Sequence, residues 1–162
     1  LTTLPGVPGI EKRLPNMLRQ CWPDAETYWR LRYKGCCATI PFITVLERTA
    51  QFIDVVSQVA AKFQYPISEI GCYIQPLERA RACHCEFNFY YYPDDQEERN
   101  RINELYTESA RALLKTGALF TRPYGIIADL VYSEATEYTA ALKRVKQVID
   151  PNNIMCPGNL CF

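Results

Sequence analysis

A single histidine stands among 162 residues. No CxxC pair accompanies it, which leaves no ligand set at the spacing of a common zinc site. Eighteen basic and eighteen acidic residues cancel, so there is no electrostatic footprint for nucleic acid or an anionic membrane. No apolar run is long enough to span a bilayer. Residues 1–9 lack both the basic start and the apolar stretch of a signal peptide. The sequence opens on Leu1 rather than Met, as though cut from something longer. A glycine-rich phosphate loop, GxSxG, HExxH and the dinucleotide fingerprint are all missing. The chain therefore carries no phosphate cradle and no activated serine. Any redox chemistry needs a cofactor held elsewhere. There are no repeats and no low-complexity tract.

Cysteine, by contrast, is plentiful, with eight in the chain. A secreted disulfide scaffold is smaller and poorer in long helices. Cys83 and Cys85 fall on one face of one strand, where disulfide geometry is poor. Buried, reduced thiols and a cytoplasmic protein are the expectation, with no metal site.

The lone histidine sits in Arg81-Ala82-Cys83-His84-Cys85-Glu86-Phe87-Asn88-Phe89-Tyr90-Tyr91. Strand alternation gives Cys83, Cys85, Phe87, Phe89 and Tyr91 one face, a core face. His84, Glu86, Asn88 and Tyr90 take the other. Four hydrogen-bonding side chains in a row suit the wall of a ligand site; a solvated strand face has the same pattern.

Around this strand the chain reads in order. Residues 1–37 form an irregular opening segment broken by prolines, with one short helix at Leu14, Met17, Leu18 and Cys21. A second is capped by Asp24 and carries Tyr28, Trp29 and Leu31. Residues 38–46 read as a strand that Pro41 confines to an edge or a bulge. Thr49 is the expected cap of a helix to Phe63. Residues 69–75 are the next strand, with Tyr73 and Gln75 on the polar side, followed by a hairpin turn. A long helix begins at Asp94, with Glu97 completing a capping box, and stops at Gly117. Residues 118–121 are the expected fourth strand. A final helix is capped by Ser133, with Tyr138, Ala141, Leu142, Val145, Val148 and Ile149 as its stripe. The order β-α-β-β-α-β predicts an α+β protein with a ferredoxin-like split antiparallel sheet over residues 38–125. Both helices then cover one face of the sheet and leave the polar face open. Residues 126–162 follow as a C-terminal helix and tail.

The turn Arg122-Pro123-Tyr124-Gly125 is held tight by its proline and glycine. Arginine offers a planar fork for a carboxylate or phenolate. A tyrosine hydroxyl donates to a developing oxyanion, and histidine exchanges a proton near neutral pH. His84, Arg122 and Tyr124 are thus the candidate catalytic residues. Glu86, Asn88, Tyr90, Tyr73 and Gln75 are the candidate substrate contacts. Taken singly, Arg122 also reads as a surface ion pair, Tyr124 as a core aromatic with a wet tip, and His84 as a satisfied histidine.

The ending Ile149-Asp150-Pro151-Asn152-Asn153-Ile154-Met155-Cys156-Pro157-Gly158-Asn159 resembles the carboxyl end of FAD-linked oxidases, typically DPxxIxNPGK, in the vanillyl-alcohol oxidase and p-cresol methylhydroxylase superfamily. The split strand order is similar to that family's C-terminal substrate, or cap, domain, and the likeness runs from Pro41 to Phe162. The resemblance implies an oxidoreductase whose FAD sits mainly in a separate domain or subunit, outside these residues, to which 126–162 return. It implies hydride transfer from a hydroxylated, phenolic or 2-hydroxy-acid substrate. It also implies cofactor contacts at Asn153, Cys156 and Asn159, and an isolated chain without activity. Homo-oligomers fit this picture. Two departures stand out: Cys156 and Asn159 replace the usual Asn and Lys, and CHCEFNFYY occupies the region of the metal motif of 2-hydroxy-acid relatives. The residues by themselves leave a second reading open, a ferredoxin-like module that binds a small molecule without flavin.

Overall fold

The computed structural model describes residues 28–162. The helix expected at Leu14–Cys21 and the Asp24 cap lie outside those residues. Of the second expected helix, the described part is a single 3-10 turn, Trp29–Leu31.

Three strands make one antiparallel sheet: β1 (Cys36–Thr44), β2 (Gly71–Leu77) and β3 (Ala82–Tyr91), in the order β1-β3-β2. The central strand is the one whose inner face is apolar throughout. Phe87 lies opposite Ile40 and Cys72, and Cys85 opposite Phe42 and Ile74. Helices α1 (Thr49–Lys62) and α2 (Gln96–Thr116) cover this face. Phe42 joins the layers, with its ring 5.0 Å from Phe52, 5.8 Å from Phe87 and 6.4 Å from Phe120. The expected α+β class and the β2–β3 hairpin are both present.

The helix starts differ from expectation in detail. A 3-10 turn, Leu46–Arg48, leads into α1, and Thr49 Oγ1 donates back to Leu46 O instead of capping. In α2 the cap is Asp95, not Asp94; it accepts from Glu98 N at 2.9 Å. Glu98 rather than Glu97 reaches back, accepting from Tyr92 N at 2.7 Å. Gly117 ends α2 as expected, at φ +92°, where a side chain would also press on Arg48.

The fourth strand is reduced to one antiparallel bridge, Ile43 with Leu119. Both of its hydrogen bonds form, at 2.8 and 3.0 Å. Backbone groups of alternate strand residues point to the same side, so Pro41, two before Ile43, faces the same outer edge. Extending the ladder by one pair would set Pro41 opposite Thr121. Proline has no N–H to donate, so pairing stops after one bridge. The four-stranded form of the split pattern is therefore not completed. Thr121 to Gly125 leave the sheet as a loop.

A short helix that the sequence does not suggest, α3 (Ile126–Glu134), comes first, and the final helix expected after Ser133 is α4 (Thr136–Ile149). Ser133 lies inside α3 and donates to Leu130 O at 2.9 Å, so it is not a cap. The break falls at Ala135, whose φ, ψ of −96°, 55° fit neither helix. No residue of α4 is buried. The stripe expected to pack inward is on the surface, with Val148 83% exposed.

Beyond α4, Asp150 organises the tail. Its carboxylate pairs with Lys146 at 2.7 Å and accepts from Ile154 N at 2.9 Å and Met155 N at 2.8 Å. The Lys146 ammonium and the two amides hold its pKa down at about 2.

Candidate active site

The outer face of β3 carries His84, Glu86, Asn88 and Tyr90, as alternation predicts. The register sets Gln75 opposite His84, Tyr73 opposite Glu86 and Gly71 opposite Asn88. Tyr73 and Gln75 therefore share the face, joined by a Tyr73 hydroxyl bond to Gln75 Oε1 of 3.1 Å.

This face is not open along its whole length. Residues 28–35 cross its Tyr90 end, where the Tyr33 ring meets Tyr90 edge-on at 5.5 Å. Lys34 anchors the crossing. Its ammonium lies 2.7 Å from Glu69 and 3.3 Å from Glu98, with the rings of Tyr33, Tyr65 and Tyr92 around it. Burial works against the Lys34 charge, but the hydrogen bonds with Glu69 and Glu98 outweigh it and raise its pKa. Asn88 is only 2% exposed. Its Oδ1 accepts from Thr39 Oγ1 at 2.7 Å and from Cys37 Sγ at 3.6 Å. Gly71 permits this packing, since a Cβ there would stand 3.0 Å from both Asn88 Cβ and the Tyr90 hydroxyl. Tyr90 lines a separate cleft of about 470 Å³ with Arg32, Tyr33 and Gly71. The expected polar row is thus divided: Asn88 and Tyr90 belong to the covered half.

The other half is a cleft of about 420 Å³ lined by Pro41, Phe42, His84, Thr121, Arg122 and Tyr124. All three candidate catalytic residues meet here. Tyr124 stands 66% exposed on the loop that the interrupted fourth strand releases. His84 Nε2 lies 3.0 Å from Glu86 Oε1, within hydrogen-bond distance, and its ring meets Tyr73 edge-on at 6.3 Å. The second Glu86 oxygen pairs with Arg30 of the opening 3-10 turn. Pro41, Thr121 and Arg30 are not among the candidate site residues that the sequence suggests. Pro41 was findable, being on the outer face of its strand by parity; Arg30, 56 residues from Glu86, gives no local signal.

The thiols of β3 stay out of the cleft. Cys83 and Cys85 are buried in the core, and burial pushes Cys85 up to about 11. Among the described residues no three His, Cys, Asp or Glu side chains are grouped to hold a metal ion. Asn153, Cys156 and Asn159 lie exposed on the tail and are not among the residues lining the cleft.

The comparisons add one finding. The family description "FAD linked oxidases, C-terminal domain" matches residues 46–160, a stretch that includes His84, Arg122, Tyr124 and the tail. No curated protein and no solved structure matches the chain. Among the described residues no helix is long and apolar enough to cross a membrane. The match spans well over half of the chain, and the chain belongs to the family of FAD-linked oxidase C-terminal domains.

Proposed function

We propose that this chain is the substrate-binding cap of an FAD-dependent oxidoreductase acting on a hydroxylated substrate, phenolic or a 2-hydroxy acid. The observation that carries the reading is the meeting of His84, Arg122 and Tyr124 in one cleft, from a strand and a loop 38 to 40 residues apart in sequence. The donor set suits the reacting end of such a complex. A guanidinium, a phenol and an imidazole surround a space with Pro41 as its apolar wall, the Phe42 ring being turned into the core. The described residues offer no glycine-rich turn for a pyrophosphate, so the dinucleotide portion belongs on a flavin-binding domain or subunit. Asn153, Cys156 and Asn159 on the tail are the contacts this chain would extend to the cofactor. When bound, the flavin supplies the hydride acceptor.

The chain's own residues do the rest. Arg122 binds the anionic oxygen of a phenolate or carboxylate. Tyr124 donates a hydrogen bond to the substrate oxygen. His84 takes the hydroxyl proton. Tyr73 and Gln75 border the His84 side of the cleft and set its polarity. The unburied stripe of α4, with the tail, seats the flavin-binding domain, and 126–162 form that junction. The seven described cysteines are free thiols, two of them buried, which fits a reducing, cytoplasmic setting.

The test is made on the assembled enzyme. Purified with its flavin-binding part, it should be yellow and should oxidise phenolic or 2-hydroxy-acid substrates; the isolated 162 residues should not. Arg122→Ala should lower kcat/KM by about 10- to 100-fold, the worth of a charged hydrogen bond, while Lys143→Ala stays within about twofold. Equal losses in the two variants would reject the role of Arg122, and a colourless assembled protein would reject the reading as a whole.

A further inference from the structure

His84 and Glu86 are two apart on one strand, so their side chains leave the same face about 7 Å apart. They meet because Glu86 leans toward the ring. Its Oε1 lies 3.0 Å from Nε2 while Oε2 is held by Arg30, from a turn 56 residues earlier. The Glu86 side chain is only 14% exposed, and that of Arg30 only 27%. The other polar groups around the ring are Tyr73 and Gln75 from β2 and Arg122 and Tyr124 from the loop. Glu86 is the one among them whose bond to a ring nitrogen is formed.

An ionised carboxylate accepts hydrogen bonds and has none to donate. A guanidinium partner keeps such a carboxylate charged when water is largely excluded. The nitrogen facing Glu86 must therefore carry the proton. In a neutral imidazole the other nitrogen is then the acceptor.

We propose that the Arg30–Glu86 pair is a positioning device that fixes His84 as its Nε2–H tautomer and makes Nδ1 the nitrogen that receives a proton. The catalytic part of this statement rests on His84 being the proton acceptor of the cleft. In the step itself the substrate O–H bond breaks, an Nδ1–H bond forms, and the ring becomes an imidazolium whose Nε2–H still faces a carboxylate. Arg30 and Glu86 touch neither substrate nor cofactor. They orient the group that does, and they tie the opening segment to the site.

The single histidine makes this directly observable. With the imidazole labelled by nitrogen-15, the 162-residue chain gives one pair of ring signals. At alkaline pH, with the ring neutral, the wild type should show one protonated nitrogen, Nε2, and one bare nitrogen, Nδ1. Glu86→Leu should lower the Nε2–H to Nδ1–H ratio by roughly tenfold, which draws the two ring shifts together. Arg30→Gln, at a partly exposed site where the fold is retained, should move them part of the way. Arg30→Lys should restore most of the wild-type pattern. Ring signals unchanged in both Glu86→Leu and Arg30→Gln would overturn the proposal, as would an Nδ1–H form in the wild type. The function proposed above fails on separate grounds, a colourless assembled protein with the tautomer still fixed. Loss of the tautomer effect with Arg122 still required for turnover would sink the positioning device alone.

Discussion

Ser109 is fully buried in α2, and its hydroxyl has no hydrogen-bond partner among the described residues. A buried polar group without a partner costs about 1–3 kcal/mol. Ser109→Ala should therefore stabilise the chain by about 1 kcal/mol and raise the midpoint of thermal unfolding by a few degrees, read by circular dichroism. An unchanged or lowered midpoint would mean that the hydroxyl is satisfied in solution. At this same scale the sequence was informative where one rule governed the outcome. Alternation along β3 placed His84 and Glu86 outward and Cys83, Cys85, Phe87 and Phe89 inward. Asn88 obeys the same alternation but is buried, its Oδ1 held by a threonine and a cysteine on β1. Such partners come from cross-strand register, which no stretch of β3 contains. Arg30 was beyond reach for the same reason.

Among the elements, the tail after α4 hangs largely on one carboxylate. Asp150 is ionised in the folded chain down to about pH 2, against an ordinary value of 3.8. Its pKa is depressed on folding, so its contribution is present above the ordinary value and fades as pH falls from about 4 toward 2. Protection of the Ile154 and Met155 amides, relative to an unfolded chain at the same pH, should fall over that interval, ahead of the amides of α2, and Asp150→Asn should show low protection already at neutral pH. Synchronous loss of protection in tail and core would contradict this. The terminal Asp-Pro motif marked the family in the sequence; the structure gives the aspartate its physical task. Element existence was the legible part: three strands, two core helices and the Gly117 stop all follow from periodicity and turn chemistry. Boundaries slipped by one or two residues where a 3-10 turn or a neighbouring aspartate took over the cap. The start of α3 gives no signal, because Gly125 offers no capping side chain there, and Ser133, expected as the cap of the last helix, lies inside it.

At the scale of the whole molecule, the core and the surface ask for different partners. Phe42, Phe52, Phe87 and Phe89 are closed off within the chain, while Val145, Val148 and Ile149 on α4 and Ile154 and Met155 on the tail are not. A helix with its apolar stripe in water gains nothing from it until another surface arrives. Val148→Glu should leave the stability of the isolated chain within about 0.5 kcal/mol, because Val148 is 83% exposed among the described residues. The same change should weaken assembly with the flavin-binding part, seen as loss of co-elution in size-exclusion chromatography. Undiminished assembly would place the junction elsewhere. The need for a partner was legible in the missing phosphate loop, but the surface that meets it was not. Amphipathic spacing looks the same whether a stripe faces its own core or another domain's.

Pro41 has a consequence that reaches past its strand. The place where the polypeptide stops being a ladder and becomes the rim of a cleft is decided by a missing proton on one imide nitrogen. Because outward-facing amides recur at every second residue, that stopping place can shift only in whole steps of two. A proline at position 39 instead would allow Thr121 to pair and would draw Arg122 and Tyr124 toward the sheet. The width of the cleft is in that sense digital: moving one ring along the strand would reset it in steps of two residues while leaving His84, Arg122 and Tyr124 unchanged.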